Sequence, residues 1–199
     1  MSEKDYYSKQ IITYLGSKRK FINKIDEIIK VLKKELGLEK LNIGEGFSGS
    51  GVVSRLFKNR ANGGKFYVND ISSYSKILNE CYLTDLDKLT KDELAYLQTI
   101  LTTMKNYVKI ENTYEPFISK YWAPKDDDNI LPNERVYFSH KNAVMIDKMM
   151  YFIKNNIGKK YQKFFIGPLI VQASINNNTN GQFSAYFKDE KKEKGKFGG

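Results

Sequence analysis

The chain has 199 residues, 41% of them hydrophobic and 14% aromatic, so it can bury a core and is not expected to be disordered. Its formal charge of +10 either suits a polyanionic partner or reflects a lysine-biased composition on an ordinary soluble surface. A single cysteine, Cys81, excludes an intrachain disulfide and a cysteine-cluster metal site, and no apolar run is long enough to cross a membrane. These features favour a soluble, cytoplasmic protein.

The first predicted elements are a short extended segment and an amphipathic helix. Residues 11–15 form the strand or extended segment, which leads into Gly-Ser-Lys at 16–18. Apolar residues then recur at helical spacing from 21 to 32. We expect this helix to end near Gly37.

A β-α-β unit is predicted from residue 41 to residue 69. Residues 41–44 form the first strand, residues 52–59 a helix, and residues 66–69 the second strand. The run Glu-Gly-Phe-Ser-Gly-Ser-Gly at 45–51 connects the first strand to the helix. Glycines there permit positive φ and close approach of a cofactor, although they also suit an ordinary strand–helix turn.

Asp70 ends the second strand, nineteen residues after Gly51. Nucleotide-binding folds place a carboxylate at this distance to accept hydrogen bonds from ribose hydroxyls. The alternative is that Asp70 caps the following helix. The glycine turn and the acid together indicate an adenosine-containing cofactor.

The rest of the chain is predicted to be largely helical. The expected helices are at 75–82, 91–108 and 142–155, whereas 164–173 is either a helix or a strand. The acidic triplet at 126–128 could bind a cation, but a solvated loop is favoured, and His140 is interpreted as structural. We expect one domain over residues 1–199, with a helical insertion at roughly 85–135.

Three motifs, in this order, resemble the opening motifs of the Dam-like (alpha-group) S-adenosylmethionine-dependent DNA adenine-N6 methyltransferases. They are Tyr-Leu-Gly-Ser-Lys at 14–18, Phe-Ser-Gly-Ser-Gly-Val-Val at 47–53 and Asn-Asp at 69–70. Segments 137–147 and 178–188 also resemble the region between the cofactor half and the catalytic half of these enzymes. The resemblance therefore covers nearly the whole chain.

The resemblance implies an α/β, Rossmann-like methyltransferase fold that binds S-adenosylmethionine, here with an incomplete sheet and an added helical region. It implies that the methionine and adenosine parts of the cofactor are lined by Phe47, Gly49, Ser50 and Gly51. Asp70 is implied to hold the ribose. The residues implied to bracket the methionine end of the cofactor are Tyr14, Gly16, Ser17 and Lys18.

The chain departs from the family in having no Asp-Pro-Pro-Tyr motif, which grips the flipped adenine. Its prolines are isolated, at Pro116, Pro124, Pro132 and Pro168. The resemblance thus implies the amino-terminal part of a site-specific, restriction-modification-type methyltransferase acting on double-stranded DNA, either a natural subunit of a split enzyme or a truncated product. It would act only when a second polypeptide supplies the motif, so no catalytic residue is assigned to this chain.

Two alternatives remain open. One is a non-catalytic DNA- or nucleotide-binding module derived from a methyltransferase. The other is an unrelated nucleotide-binding enzyme, such as a small oxidoreductase. The second is disfavoured because the glycine run lacks the full Gly-x-Gly-x-x-Gly spacing and because such enzymes have no counterpart of segment 14–18.

Overall fold

The structure is a computed structural model that describes residue 6 and residues 11–14, 16–181 and 183–198. The chain divides into two compact units, Met1–Asp85 and Leu86–Gly199. Across the described residues the architecture is mixed α/β, with seven α-helices and a two-stranded sheet. The single domain and the bounds of its helical insertion stay predictions.

The first unit contains both strands. Its elements are α1 (Ile22–Leu36), β1 (Ile43–Glu45), α2 (Val52–Ala61), β2 (Phe66–Val68) and α3 (Ser73–Tyr82). As predicted, α1 ends at Gly37, whose φ of 61° lies in the left-handed region that glycine adopts without strain.

The strand or extended segment predicted at residues 11–15 does not form a strand at residues 11–14, and Leu15 lies outside the described residues. The chain turns here instead. The Ser17 N–H donates to the Tyr14 carbonyl at 3.2 Å, and Gly16 has a φ of 80°. The prediction of a strand or extended segment is therefore not matched by a strand at residues 11–14.

The predicted β-α-β unit is confirmed, because β1 and β2 are parallel neighbours and α2 lies between them in the chain. Ile43 pairs with Phe66, and Glu45 pairs with Val68. Each strand has three residues, and β1 begins two residues later than predicted. Because parallel strands end at the same edge, the loops that follow β1 and β2 meet there.

Helices α1 and α2 form the core of the first unit. The buried residues of this cluster are Ile22, Ile29, Val52, Val53 and Leu56. A salt bridge between Arg60 of α2 and Asp26 of α1, with Nη2 3.0 Å from Oδ2, also joins the two helices. Val52 and Val53 thus hold the start of α2, where the glycine run ends, and the salt bridge holds its other end.

The second unit contains the other four α-helices, which make up about half of its residues. Its elements are α4 (Lys91–Tyr107), α5 (Ile118–Tyr121), α6 (His140–Asn156) and α7 (Lys159–Ile175). Segment 164–173 is therefore part of a helix. A capping box starts α4, because Thr90 Oγ1 accepts from the Glu93 N–H while the Glu93 carboxylate accepts from the Thr90 N–H.

The main core of the second unit lies among α4, α6 and α7. Its buried residues are Met104, Phe152, Ile153, Ile157 and Phe165. A second cluster packs the segment before α6 against the start of that helix. After α7, two isolated antiparallel bridges pair Thr179 with Tyr186 and Lys188 with Gly195.

The acidic triplet at 126–128 lies in a loop. The Asp127 carboxylate accepts from the His140 N–H at 2.8 Å, and His140 Nδ1 is 2.9 Å from the Pro124 carbonyl oxygen. The described residues contain no group of histidine, cysteine and acidic side chains that could hold a metal ion. They also include no helix long and apolar enough to span a bilayer.

Asp147 of α6 is the most heavily bonded buried acid in the second unit. Its carboxylate accepts from the backbone N–H groups of Phe117, Ile118 and Ser119 at 2.8–3.1 Å and from the Ser119 hydroxyl at 2.6 Å. The residue is almost fully buried. It therefore attaches α5 to α6 through the unpaired N–H groups at the start of α5.

We expect Asp147→Asn to lower the free energy of unfolding of the second unit by about 2 kcal/mol, because its amide nitrogen cannot accept from these backbone donors. Chemical denaturation would measure the change. The exposed Asp128→Asn is the matched control and should change stability by less than about 0.5 kcal/mol. Equal losses in the two variants would contradict the role given to Asp147.

Candidate functional site

The loop from Gly46 to Gly51 connects β1 to α2 and lies beside the residues that follow β2. The Ser48 N–H donates to the Asn69 carbonyl at 3.0 Å, which ties the two loops together. The Gly51 N–H donates to the Ser48 carbonyl at 2.8 Å and closes a turn. The candidate site lies at this edge of the sheet.

Glycine is required at two positions of the loop. Gly49 and Gly51 have φ values of 51° and 72°. A Cβ at Gly49 would lie 2.7 Å from the Tyr14 ring, and one at Gly51 would lie 2.5 Å from Asn79 Oδ1. Both the backbone conformation and the available space therefore exclude larger residues.

Asp70 binds the glycine loop directly. Its Oδ2 accepts from the Gly49 N–H at 2.7 Å, and its Oδ1 accepts from the Ser72 N–H at 2.9 Å. These two backbone donors hold the pKa of the Asp70 carboxyl below its usual value. The carboxylate is therefore ionised at neutral pH, and since it can accept about four hydrogen bonds, it retains acceptor capacity.

The alternative role of Asp70 as a helix cap is only partly matched. Ser72 is the N-cap residue of α3, and Asp70 accepts from the N–H of that residue. A side chain at the N-cap position would bond to N–H groups within the first turn of the helix. Asp70 thus orients the start of α3 from outside the helix.

Glu45, at the end of β1, was not singled out by the sequence motifs. Burial is the main reason that the pKa of its carboxyl is raised to about 7. The hydrogen bond that the carboxyl accepts from the Ser54 hydroxyl lowers the pKa, whereas the nearby Asp70 charge raises it. Near neutral pH, Glu45 is therefore partly protonated while Asp70 is ionised. Its place as the acid that starts the run at 45–51 is the signal that could have identified it.

Tyr14 is the residue of segment 14–18 that the structure brings to the glycine loop. Its ring lies against Gly49, and its centroid is 6.5 Å from that of Tyr74. The described bonds of residues 16–18 are local: Lys18 Nζ donates to the Gly16 carbonyl at 2.9 Å, and Ser17 Oγ accepts from the Arg19 N–H at 3.4 Å.

Two apolar side chains are exposed at this edge. Phe47 is 92% exposed, and Ile71, which follows Asp70, is fully exposed. The Phe47 and Ile71 side chains both offer apolar surface that a planar ring could cover. The sequence motifs did not include Ile71; an apolar residue directly after a strand-ending acid is the signal for it. Ser50, which was predicted to line the same site, is buried.

Buried Arg55 lies beneath the loop on α2. Its Nη1 donates to the Ser50 carbonyl at 3.4 Å and its Nε to the Tyr6 carbonyl at 2.7 Å. Burial lowers the pKa of the guanidinium, although it remains a cation at neutral pH. It helps fix the backbone at the end of the loop.

The second unit contains a cavity of about 700 Å³ among α4, α6 and α7. Its lining residues are apolar or carry amide side chains, with no charged group among them. None of the site residues predicted from the sequence lines it. The cavity is therefore lined by residues of the second unit alone.

A parallel β-α-β unit with a glycine loop after the first strand and an acid after the second is typical of α/β proteins that bind adenosine-containing cofactors. The sequence model of the D12 class N6 adenine-specific DNA methyltransferase family matches residues 14–197. The chain belongs to this family, which confirms the resemblance to Dam-like adenine methyltransferases. No curated protein and no solved structure gives a significant match.

Membership of this family supports DNA adenine methylation as the activity, and methyltransferases of this kind normally use S-adenosylmethionine. The match extends across both compact units. The helical second unit is therefore part of the family domain.

We expect the burial of the Glu45 carboxyl to lower the free energy of unfolding by an amount that depends on pH. Between its unfolded pKa of 4.5 and its folded pKa of about 7, the folded protein holds the extra proton, so the free energy of unfolding falls as pH rises through this window. Glu45→Gln removes this effect. The free energy of unfolding of the variant minus that of wild type should therefore increase by on the order of 1 kcal/mol from pH 5 to pH 8, after allowance for solvent screening.

Denaturation of both proteins at pH 5 and pH 8 would measure this difference. Glu80→Gln, an exposed position on α3, is the control and should track wild type at both pH values. A difference between wild type and Glu45→Gln that does not vary with pH would show that the Glu45 carboxyl is not perturbed.

Proposed function

We propose that the chain forms the S-adenosylmethionine-binding part of a restriction-modification-type DNA adenine-N6 methyltransferase, with the cofactor held at the glycine loop. The observation that carries this proposal is the pairing of the ionised Asp70 carboxylate with the Gly49 N–H, at the edge where β1 and β2 end. It supports a Rossmann-like sheet of which these strands are two members.

The residues present fit such a cofactor. Gly49 and Gly51 are buried and let the turn pack closely against Tyr14 and Asn79, and Asn79 Oδ1 lies buried beside Gly51 without a described hydrogen-bond partner. Asp70 has the acceptor capacity for ribose hydroxyls. The exposed Phe47 and Ile71 side chains supply apolar surface for an adenine ring.

The remaining predicted residues suit the methionine end. Tyr14 packs against Gly49, and the Lys18 ammonium has donors beyond the one given to the Gly16 carbonyl. Ser50 and Gly51 lead into α2, whose first N–H groups have no partners within the helix. Such N–H groups and the Lys18 charge favour a carboxylate. We assign Gly16 and Ser17 to the turn that positions Lys18.

When bound, S-adenosylmethionine supplies an activated methyl group on its sulfonium. The acceptor, the exocyclic nitrogen of adenine, has its lone pair delocalised into the ring, so the base must be extruded from the duplex and oriented. The Asp-Pro-Pro-Tyr motif performs this role in the family that the sequence resembles, and these 199 residues contain no adjacent prolines. We therefore propose that a polypeptide carrying the motif completes the enzyme.

Apolar surface on the first unit supports completion by further polypeptide. Helix α1 carries an exposed stripe at helical spacing: Ile28, Val31, Leu32 and Leu36. The described sheet has only two strands and so leaves edges unpaired. Exposed apolar stripes and open sheet edges are typical of surfaces that other elements cover. The charge of +10 also favours a DNA partner.

The test begins with calorimetric binding of S-adenosylhomocysteine, which cannot donate a methyl group, to the 199-residue chain. Methyl transfer to double-stranded DNA is then measured for the chain alone and for complexes recovered with a tagged chain. We expect binding by the isolated chain, no transfer by it, and N6-methyladenine only with a polypeptide that carries the missing motif.

Each other outcome has a definite meaning. Turnover by the isolated chain would rule out the need for completion. Absence of binding would rule out the cofactor site. Binding with no methylation in any complex would favour a non-catalytic DNA- or nucleotide-binding module.

Substitutions in the loop test the placement of the cofactor. Gly49→Ala should weaken S-adenosylhomocysteine binding by at least about 10-fold, because its Cβ meets the Tyr14 ring and its φ is positive. Gly46→Ala is the matched control from the same loop, since nothing lies within 4 Å of its Cβ position. Equal affinity for the two variants would place the cofactor elsewhere.

A further inference from the structure

Asn79 of α3 lies against the glycine loop, thirty-one residues from Ser48 in the chain, and is outside the motifs that define the site. Its side chain is only 7% exposed. The amide nitrogen donates to Ser48 Oγ at 2.9 Å and to the Ser75 carbonyl at 2.8 Å. The first bond reaches from the helix to the beginning of the turn, and the second fixes the amide on its own helix.

The amide oxygen of Asn79 faces the other end of the same turn. It occupies the space beside Gly51 that a Cβ would need, 2.5 Å from the Cβ position. Among the described residues this buried oxygen accepts no hydrogen bond. A buried acceptor without a donor costs free energy, so its placement is not explained by fold stability.

One planar amide therefore contacts both ends of the turn from Ser48 to Gly51. The turn has a second anchor on the strand side, where Asp70 accepts from the Gly49 N–H. Asn79 is the anchor on the helix side. Between them, the two side chains define where the loop backbone lies relative to β2 and α3.

We propose that Asn79 is a positioning residue for S-adenosylmethionine: it holds the buried turn from Ser48 to Gly51 in place, and with it the exposed Phe47 that the cofactor would contact. Its oxygen keeps the space beside Gly51 closed to any side chain. This inference rests on the proposed function, because it assigns a role within the same cofactor site.

The experiment compares S-adenosylhomocysteine affinity for the wild-type chain, Asn79→Ala, Ser48→Ala and the double variant by calorimetry. Each single variant should bind about 10-fold more weakly than wild type. The double variant should bind no more weakly than a single variant, because both substitutions remove the same hydrogen bond.

A control separates positioning from folding. Leu78 is the neighbour of Asn79 on α3, is 1% exposed and has no polar side-chain atom. Leu78→Val should lower the thermal midpoint without changing the affinity. The positioning role predicts that Asn79→Ala binds more weakly than Leu78→Val even where the two have equal thermal midpoints.

The outcomes distinguish this inference from the proposed function. A wild-type chain that binds no S-adenosylhomocysteine overturns the cofactor site and this inference with it. A wild-type chain that binds, together with an Asn79→Ala variant that binds equally tightly, overturns this inference alone. This inference alone is also overturned if the fold loss of affinity in the double variant equals the product of the fold losses in the two single variants.

Discussion

The candidate site depends on one carboxylate. Asp70 accepts from the Gly49 N–H and from the Ser72 N–H, so a single side chain joins the glycine loop, the end of β2 and the start of α3. These bonds are strong only while the carboxylate is charged, and the same donors lower its pKa and keep it charged. Glu45 has the opposite shift, so near neutral pH the edge of the sheet carries less than two full negative charges. An additional charge there would repel the one that organises the loop.

The second unit contributes no residue to the predicted cofactor site, yet the family match includes nearly all of it. Its three long helices enclose a core and an apolar cavity, and its polar contacts attach loops to helices. The residues predicted to bind the cofactor, at strand ends and glycines, thus all belong to the first unit, whereas the second unit is a helical framework held by apolar burial.

The sequence predicted helices better than strands. Apolar periodicity and the glycine at 37 predicted the ends of the first five helices apart from the short α5 to within about two residues. Strands of three residues are too short to show a clear alternation of apolar and polar residues. Residues 11–15 were predicted to be a strand or extended because the sequence does not specify whether a segment has a partner strand. Glu45, Ile71 and Asn79 were missed because burial, exposure and contacts between distant residues define their roles.

Asp147 has a consequence for how the second unit acquires its structure. The backbone donors that it binds lie 28–30 residues earlier in the chain, and α5 has only four residues. So short a helix cannot persist alone in water, because its nucleation is unfavourable and its N–H groups are unpaired. The segment around α5 therefore becomes ordered only when α6 has formed and docked. The two elements should gain and lose protection from hydrogen exchange together, as one cooperative folding unit.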